Sequence, residues 1–321
     1  MVQRDMTPGL VSTVIPVFNR AGMLVEAVDS VLGQTWPQLE IVIVDDGSTD
    51  DTVRVAQALC DQHPGRILLV RQRNAGPGVA RQAGFEACSG EFVQFLDSDD
   101  LLLPRKFELQ VGGLRADPEA GISYGPTYTS GNGVRDAEPA QCTGTPLRTL
   151  FPAMLQEPLW PTLTPLYRRS VLEAVGPWPA KRQLEDWEFD AQAGALGVKL
   201  HYCDEFLAEV RDHGEGRICQ LWMTDVGAMR DRVDAYAQVL RHAQSAGVPR
   251  ESAEMQKFAR SLFWMARNAG SYGLPDEARR LFELARGVAL RPGWDYTVFR
   301  AATRVLGWQR SSRLAEVLVR P

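Results

Sequence analysis

Three carboxylates, Asp97, Asp99 and Asp100, follow one another in the sequence with only Ser98 between them. Charges this close repel unless a cation stands among them, and oxygen donors of this kind suit Mg²⁺ or Mn²⁺. A second reading is capping, with Asp99 or Asp100 closing the start of a helix that Pro104 opens. Two further acidic groups have similar promise. Asp45 and Asp46 precede Gly47, Ser48, Thr49 and Asp50; Gly47 allows a sharp turn, and Asp50 suits the cap of a helix starting near Thr52. Asp46 is the better functional candidate, because a carboxylate at such a turn can accept an N–H from a nucleobase edge. Glu185 and Asp186 open a pattern that ends at Asp190. It reads either as the acidic first turn of a helix or as a carboxylate placed for proton transfer.

The elements before these acids explain their placement. Residues 92–96 are largely apolar and read as a buried strand, as do residues 39–44. Both runs therefore deliver carboxylates to the end of a strand, at the rim where α/β proteins bind ligands. Leu10 to Val17 is an earlier strand, closing at Pro16, Val17, Phe18 and Asn19. Pro16 lacks an N–H, so the strand must end or lie open there. Met23, Ala27, Val28, Val31 and Leu32 recur at helical spacing, and Ile67 to Arg71 reads as a further strand. Asn74 to Gly78 is a turn cluster before a helix that carries Arg81 in its first turn. A cation there opposes the helix dipole, which points to a salt bridge or a phosphate contact. Up to about residue 115 the alternation predicts a doubly wound, mostly parallel α/β sheet.

The rest of the chain has fewer signals. Gly121 to Tyr128 reads as one strand, followed by a polar loop at 130–133 and a Pro-rich irregular stretch with a short helix. Trp160 and Trp178 suit either packing or stacking on a sugar ring. Residues 220–321 read as all-helical. Phe258, Leu262, Met265, Ala266 and Ala269 form one stripe, and Ala278, Leu281, Phe282 and Ala285 a second. The pair looks like a single TPR-type hairpin, which needs a partner surface to be stable.

Composition narrows the class. The 321 residues are 45% hydrophobic and 23% charged with a net charge of −5, as expected of a globular chain that does not take nucleic acid as its main partner. Five cysteines without Cys-x-x-Cys spacing exclude a zinc ribbon and favour a reducing compartment. The first residues have no apolar run, and nowhere does an apolar run reach membrane-spanning length. The expectation is a soluble, cytoplasmic chain.

Taken together, residues 11–19 (VSTVIPVFN), 41–50 (IVIVDDGSTD), Asn74 with Gly76 and the Ala80-Arg81 pair, Gly90-Glu91, and residues 95–100 (FLDSDD) resemble the family 2 glycosyltransferases. Residues 184–189 (LEDWEF) extend the likeness, which covers roughly residues 9–215. The resemblance implies a GT-A fold, a nucleotide-diphosphate sugar donor with a UDP-sugar first among candidates, Mn²⁺ or Mg²⁺, and an inverting mechanism. It implies that Pro16, Val17, Phe18 and Asn19 line the donor pocket with Asp46, Arg81, Asp97 and Ser98. It also implies that Asp99 binds the metal, with His213 of the Arg211-x-His213 element as a second ligand or a surface residue. Asp186 becomes the catalytic base, and Glu185 and Trp187 face the acceptor, a bacterial-type surface glycan or a lipid-linked sugar. Gln192 stands where the family often has Arg, and no Gln-x-x-Arg-Trp sequence occurs, so a polymerising synthase is disfavoured.

The expected organisation is a GT-A catalytic domain over 1–219, with a nucleotide-binding half at about 9–115 and an acceptor half at about 116–219. An α-helical region over 220–321 follows, suited to homodimer formation. The alternative function is a non-catalytic nucleotide-sugar-binding module that recruits partners through its helices. One charge asymmetry stands apart. From Arg291 onward six Arg face Asp295 and Glu316, a balance of +4, so the remaining chain is at −9. With Trp294, Tyr296, Phe299 and Trp308 in the same segment, two readings stand: the aromatics pack on the catalytic domain and the arginines form a solvated face, or residues 291–321 make peripheral contact with the inner face of a membrane.

Overall fold

The computed structural model describes residues 5–214 and 225–318, with no side-chain account for 316–318. The boundary expected at 219/220, Cys219, Glu316 and Arg320 lie outside what is described. The first strands and helices alternate: β1 (Thr7–Val17), α1 (Ala21–Leu32), β2 (Leu39–Asp45), α2 (Thr52–Gln62), β3 (Ile67–Arg71), α3 (Pro77–Ala87) and β4 (Gly90–Phe95). Then come β5 (Leu101–Leu102), α4 (Lys106–Ala116), β6 (Ala120–Tyr124), β7 (Thr127–Gly131), β8 (Val134–Arg135), β9 (Leu166–Arg168) and α5 (Arg169–Val175). The series closes with α6 (Glu185–Ala195), β10 (Lys199–Tyr202), β11 (Ala208–Asp212), α7 (Val226–Ser245), α8 (Ala253–Ser271), α9 (Pro275–Val288) and α10 (Trp294–Leu318).

A seven-stranded sheet runs in the order β10-β6-β9-β4-β1-β2-β3. β4, β1, β2 and β3 are mutually parallel, and β9 alone runs antiparallel to both its neighbours. The sheet is therefore mostly parallel, as expected. Its central strands are apolar on both faces because helices cover both sides. Val11 and Ile15 of β1 and Ile41 and Ile43 of β2 are fully buried in one cluster with Leu24, Ala27, Val28 and Val31 of α1, whereas Val14 lies on the other face, under α3. Pro16 pairs with Val44 on the β2 side, whereas pairing with β4 stops at Val14. The missing N–H thus falls where the strand has one neighbour, the open position that Pro requires.

Residues 121–128 do not form one strand. Ala120–Tyr124 joins the large sheet, whereas Thr127–Gly131 joins a second sheet of order β5-β11-β7-β8. The break falls at Gly125 and Pro126. A Cβ on Gly125 would stand 2.4 Å from the Cys203 carbonyl oxygen, and Pro126 cannot donate to a ladder. This small sheet matters for the site: β11 runs antiparallel to β5, pairing Glu209 with Leu101, and so carries residues 211–213 back beside the acids that precede β5.

The chain divides into two units. One comprises residues 1–150, 158–181 and 196–215, and holds both sheets; the other comprises 151–157, 182–195 and 216–321. The second unit is helical, and α6 belongs to it with α7–α10. Both apolar stripes of the α8–α9 hairpin are buried. The hairpin does not stand alone: Phe258 stacks on Tyr236 of α7, and Phe263 and Phe282 receive Tyr296 and Phe299 of α10. Among the described residues no helix is long and apolar enough to cross a membrane.

Candidate active site

The C-terminal ends of β4, β1 and β2 lie side by side, so three loops meet at one rim of the sheet. The loop after β1 is tied to the loop after β2. The Asp46 N–H donates to the Val17 carbonyl at 2.9 Å, the Asn19 N–H to Ser48 Oγ at 3.0 Å, and the Thr49 N–H to Asn19 Oδ1 at 2.7 Å. Arg20 N–H donates to Thr52 Oγ1 at 3.0 Å. Asn19 takes a left-handed φ of 52°, which Asn tolerates better than most residues. Pro16–Asn19 is therefore a fixed edge, with Val17 buried and the Phe18 ring exposed. Asp50 accepts the Thr52 N–H at 2.9 Å at the start of α2, and hydrogen bonding by the Thr52 side chain above all, with this N–H beside it, holds the Asp50 carboxyl below the usual range.

Asp46 organises the next loop. Its carboxylate accepts from the Gln72 side-chain amide at 2.7 Å and from the N–H groups of Ala75 and Gly76 at 2.8 and 2.9 Å. Of roughly four lone-pair positions on a carboxylate, three are thus filled. Gly76, with φ of 94°, turns the chain into α3. Because α3 begins at Pro77, Arg81 falls in its second turn rather than its first. The Arg81 side chain is buried, lies over the Trp178 ring at 5.0 Å, and donates to Asp97 Oδ1 at 2.8 Å. Trp178 also meets Phe95 edge-on at 4.8 Å, and Trp160 packs on Tyr124, so both tryptophans are packing residues here.

The acids after β4 separate into different tasks. Ser98 is buried, and Asp100 is buried with its Oδ1 accepting the Arg211 N–H at 2.9 Å. Asp99 forms an ion pair with Arg20, and its Oδ2 lies 2.9 Å from His213 Nε2. The same Nε2 is 2.9 Å from Arg20 Nη1. The capping reading fails: α4 starts at Lys106, beyond β5, with Arg105 in the cap position. Carboxylate and imidazole instead converge on one point, filled by the Arg20 cation. Both donors suit Mn²⁺ or Mg²⁺, and two protein ligands leave the remaining positions for phosphate oxygens and water. Among the described residues no group of three or more His, Cys, Asp or Glu side chains is arranged to hold a metal by itself. Arg20 is absent from the residues the sequence singles out. Its only signal is adjacency to Asn19, since its partner Asp99 lies 79 residues away.

Asp186 belongs to the helical unit. Leu184, with φ of 58°, turns the chain into α6. Asp186 is half-buried, whereas Glu185 and Trp187 on either side are buried. Trp187, expected to face an acceptor, has 3% of its surface exposed. Its Nε1–H donates to the Met154 carbonyl at 2.9 Å, and its ring meets Tyr236 and Phe258 edge-on at 5.0 and 5.9 Å. In this structure Trp187 fixes the orientation of α6, and with it the rotation at which Asp186 emerges.

An α/β sheet whose strand ends carry these acids, joined to a helical unit, defines a GT-A architecture. The sequence profile described as glycosyl transferase family 2 matches residues 12–176, and the chain belongs to that family. Among its relatives is an uncharacterized glycosyltransferase of Nostoc sp. (strain PCC 7120), 36% identical over 207 residues, or 63% of this chain and 61% of the relative. A chondroitin synthase of Escherichia coli is 39% identical over 125 residues, or 39% of this chain and 18% of the synthase. The chain thus spans less than two thirds of these relatives. Among solved structures, S. aureus TarS 1-349 in complex with UDP-GlcNAc superposes with a TM-score of 0.72 at 18% identity, covering 96% of this chain and 90% of that one. A mannosyltransferase from Pyrobaculum calidifontis in complex with GDP-Man and Mn²⁺ gives 0.55 at 18% identity, covering 96% and 86%. At such identities the likeness is one of fold, and it bears out the GT-A expectation.

Proposed function

We propose that this chain transfers a sugar from a nucleotide-diphosphate donor, a UDP-sugar first among candidates, to a hydroxyl of a glycan or lipid-linked acceptor with inversion at C1. The observation that carries this reading is the convergence of Asp99 and His213, 114 residues apart in sequence, 2.9 Å from each other at the rim of the sheet. Together they offer an oxygen and a nitrogen donor for a cation beside the loops that would hold a nucleotide. Asp99 and His213 would ligate Mn²⁺ or Mg²⁺, which when bound stabilises the charge of the departing nucleoside diphosphate. The donor complexes of the two structural neighbours, one with UDP-GlcNAc and one with GDP-Man and Mn²⁺, support the same assignment.

The chain's own residues take the following roles. Pro16–Asn19 presents backbone and the exposed Phe18 ring to the nucleoside. Asp46 keeps one lone pair for a base N–H after filling three with its own loop. Asp97, held by Arg81, faces the ribose, and Ser98 supports that turn from within. Glu185 orients the acceptor beside Asp186. Asp186 takes the proton from the acceptor hydroxyl as that oxygen attacks C1 and the bond to the diphosphate oxygen breaks.

Two variants test the reading. Asp99→Asn is expected to bind UDP or GDP equally weakly in Mn²⁺ and in EDTA while keeping the wild-type circular dichroism spectrum. Nucleotide affinity as tight as wild type in Mn²⁺ would remove the metal assignment. Asp186→Asn is expected to keep donor affinity and lose transfer by roughly 10²–10⁴, the span of general-base catalysis. Transfer at a near wild-type rate would place the base elsewhere.

A further inference from the structure

The first half of α10 is apolar on two opposite faces, and only one of them is covered. Tyr296 and Phe299 point inward, where Phe263 stacks on Tyr296 at 4.1 Å and Phe282 meets both rings. Trp308 packs on Phe282 and Phe299. Three of the four aromatics that the sequence offered to a membrane surface are thus committed to the interior of the helical unit. The fourth is not. Trp294 is 80% exposed, and Val298 and Val305 on the same side are 54% and 83% exposed, with exposed Ala301 between them. The spacing 294, 298, 301, 305 is i, i+4, i+7, i+11, a single stripe along one side of a helix. The left-handed φ of 76° at Gly307 ends this straight segment, which is about 20 Å long at 1.5 Å per residue.

The charges beside the stripe have one sign. Arg300 and Arg304 line an open cleft along its flank with Arg286, Thr297 and Tyr296, and Arg291 precedes the helix. Arg286 is paired with Glu283 at 2.9 Å, and Asp295, the one acid of residues 291–306, is taken by Arg260 at 2.7 Å. Among the described residues Arg291, Arg300 and Arg304 make no ion pair. A second copy of the chain is a poor occupant for such a face. A two-fold contact sets a patch against itself, so these arginines would meet one another with no acid to answer them. A surface of phosphates over an apolar layer answers both features at once: tryptophan suits the headgroup boundary, and arginine pairs with phosphate.

We propose that the outer face of α10 from Trp294 to Leu306 is an anchor that lies on an anionic lipid leaflet. Trp294, Val298 and Val305 enter the headgroup boundary, and Arg291, Arg300 and Arg304 contact lipid phosphates. The inference stands independently of the sugar-transfer reading. It is tested by co-sedimentation of the full chain with phosphatidylcholine vesicles and with vesicles in which about a third of the lipid is phosphatidylglycerol. The chain is expected to pellet with the anionic vesicles only, and less as salt rises. Replacing both Arg300 and Arg304 by Gln is expected to lower the partition coefficient about 30-fold, from about 5-fold per cationic side chain. Trp294→Ser with Val305→Ser, both at exposed positions, is expected to weaken binding while leaving the melting temperature unchanged. Equal pelleting with both vesicle types, no pelleting with either, or binding unaffected by these variants would overturn the proposal. So would a concentration-dependent dimer in light scattering that the Trp294→Ser/Val305→Ser chain fails to form.

Discussion

Arg20 touches both Asp99 and His213, so in the proposed function it would compete with the divalent cation for them. An ion pair of this partial exposure is worth about 1 kcal/mol, and removing it frees Asp99 for a metal. Arg20→Gln is therefore expected to bind Mn²⁺ about five-fold more tightly than wild type in the absence of nucleotide, measured by the free Mn²⁺ signal in electron paramagnetic resonance. Unchanged or weaker affinity would mean that Arg20 helps to build the site rather than blocks it. The residue also marks a limit of what a sequence displays. Asp97 and Asp99 are conspicuous because acids cluster at a strand end, and His213 stands out only through the family's Arg-x-His element. Arg20 is one arginine among many, and its task comes only from a contact spanning 79 positions.

At the level of elements, α3 is set by one close approach. A Cβ on Gly84 would fall 2.2 Å from Val14 Cγ1 and 3.0 Å from Val44 Cγ2, on the two strands beneath the helix. Gly84→Ala must push α3 away from the sheet, and overpacking of this kind costs about 1–3 kcal/mol. The same shift draws Arg81, three residues earlier, off Asp97. The expected outcome is a lower urea midpoint and weaker UDP binding together; a loss of stability with unchanged nucleotide affinity would uncouple the helix from the rim. The parallel strands and their helices were legible because apolar runs and 3.6-residue spacing are local signals. The second sheet was not, since β5, β8 and β11 span only two, two and five residues and exist through pairing with distant partners. Asn132-Gly133, both at positive φ, is a tight hairpin turn with a local signal in its residue types, whereas the split at Gly125 depends on contact with residue 203.

At the scale of the whole molecule, a buried lysine bears on how stability changes above neutral pH. Lys106 is fully buried, its Nζ donates to the Thr164 carbonyl at 2.7 Å, and burial pushes its pKa down from 10.5 to about 7. Between these values the unfolded chain holds a proton that the folded chain has released, so stability rises as pH climbs from 7 and the full cost is carried below 7. The thiols of Cys60, Cys88 and Cys203, pushed up by burial from 9.0, act in the opposite sense above pH 9. The gain is therefore confined to roughly pH 7–9. Lys106→Met is expected to flatten the urea-midpoint profile across that window and to exceed wild type at pH 6. Parallel profiles for the two chains would clear Lys106 of the effect.

The interleaved course of the chain has a consequence for how it is made. Residues 182–195 are part of the helical unit although most of that unit comes later in sequence. Trp187 closes its aromatic cluster only with Tyr236 and Phe258, so after α6 leaves the ribosome it waits for about 70 further residues, several seconds at ordinary rates of synthesis. During that interval a large indole and the apolar side of α6 stand open to chaperones and to other nascent chains. The yield of this protein in a cell is thus expected to depend on the pace of translation between codons 195 and 258, a stretch where slow decoding would prolong exposure of a helix that already holds its acid but not yet its support.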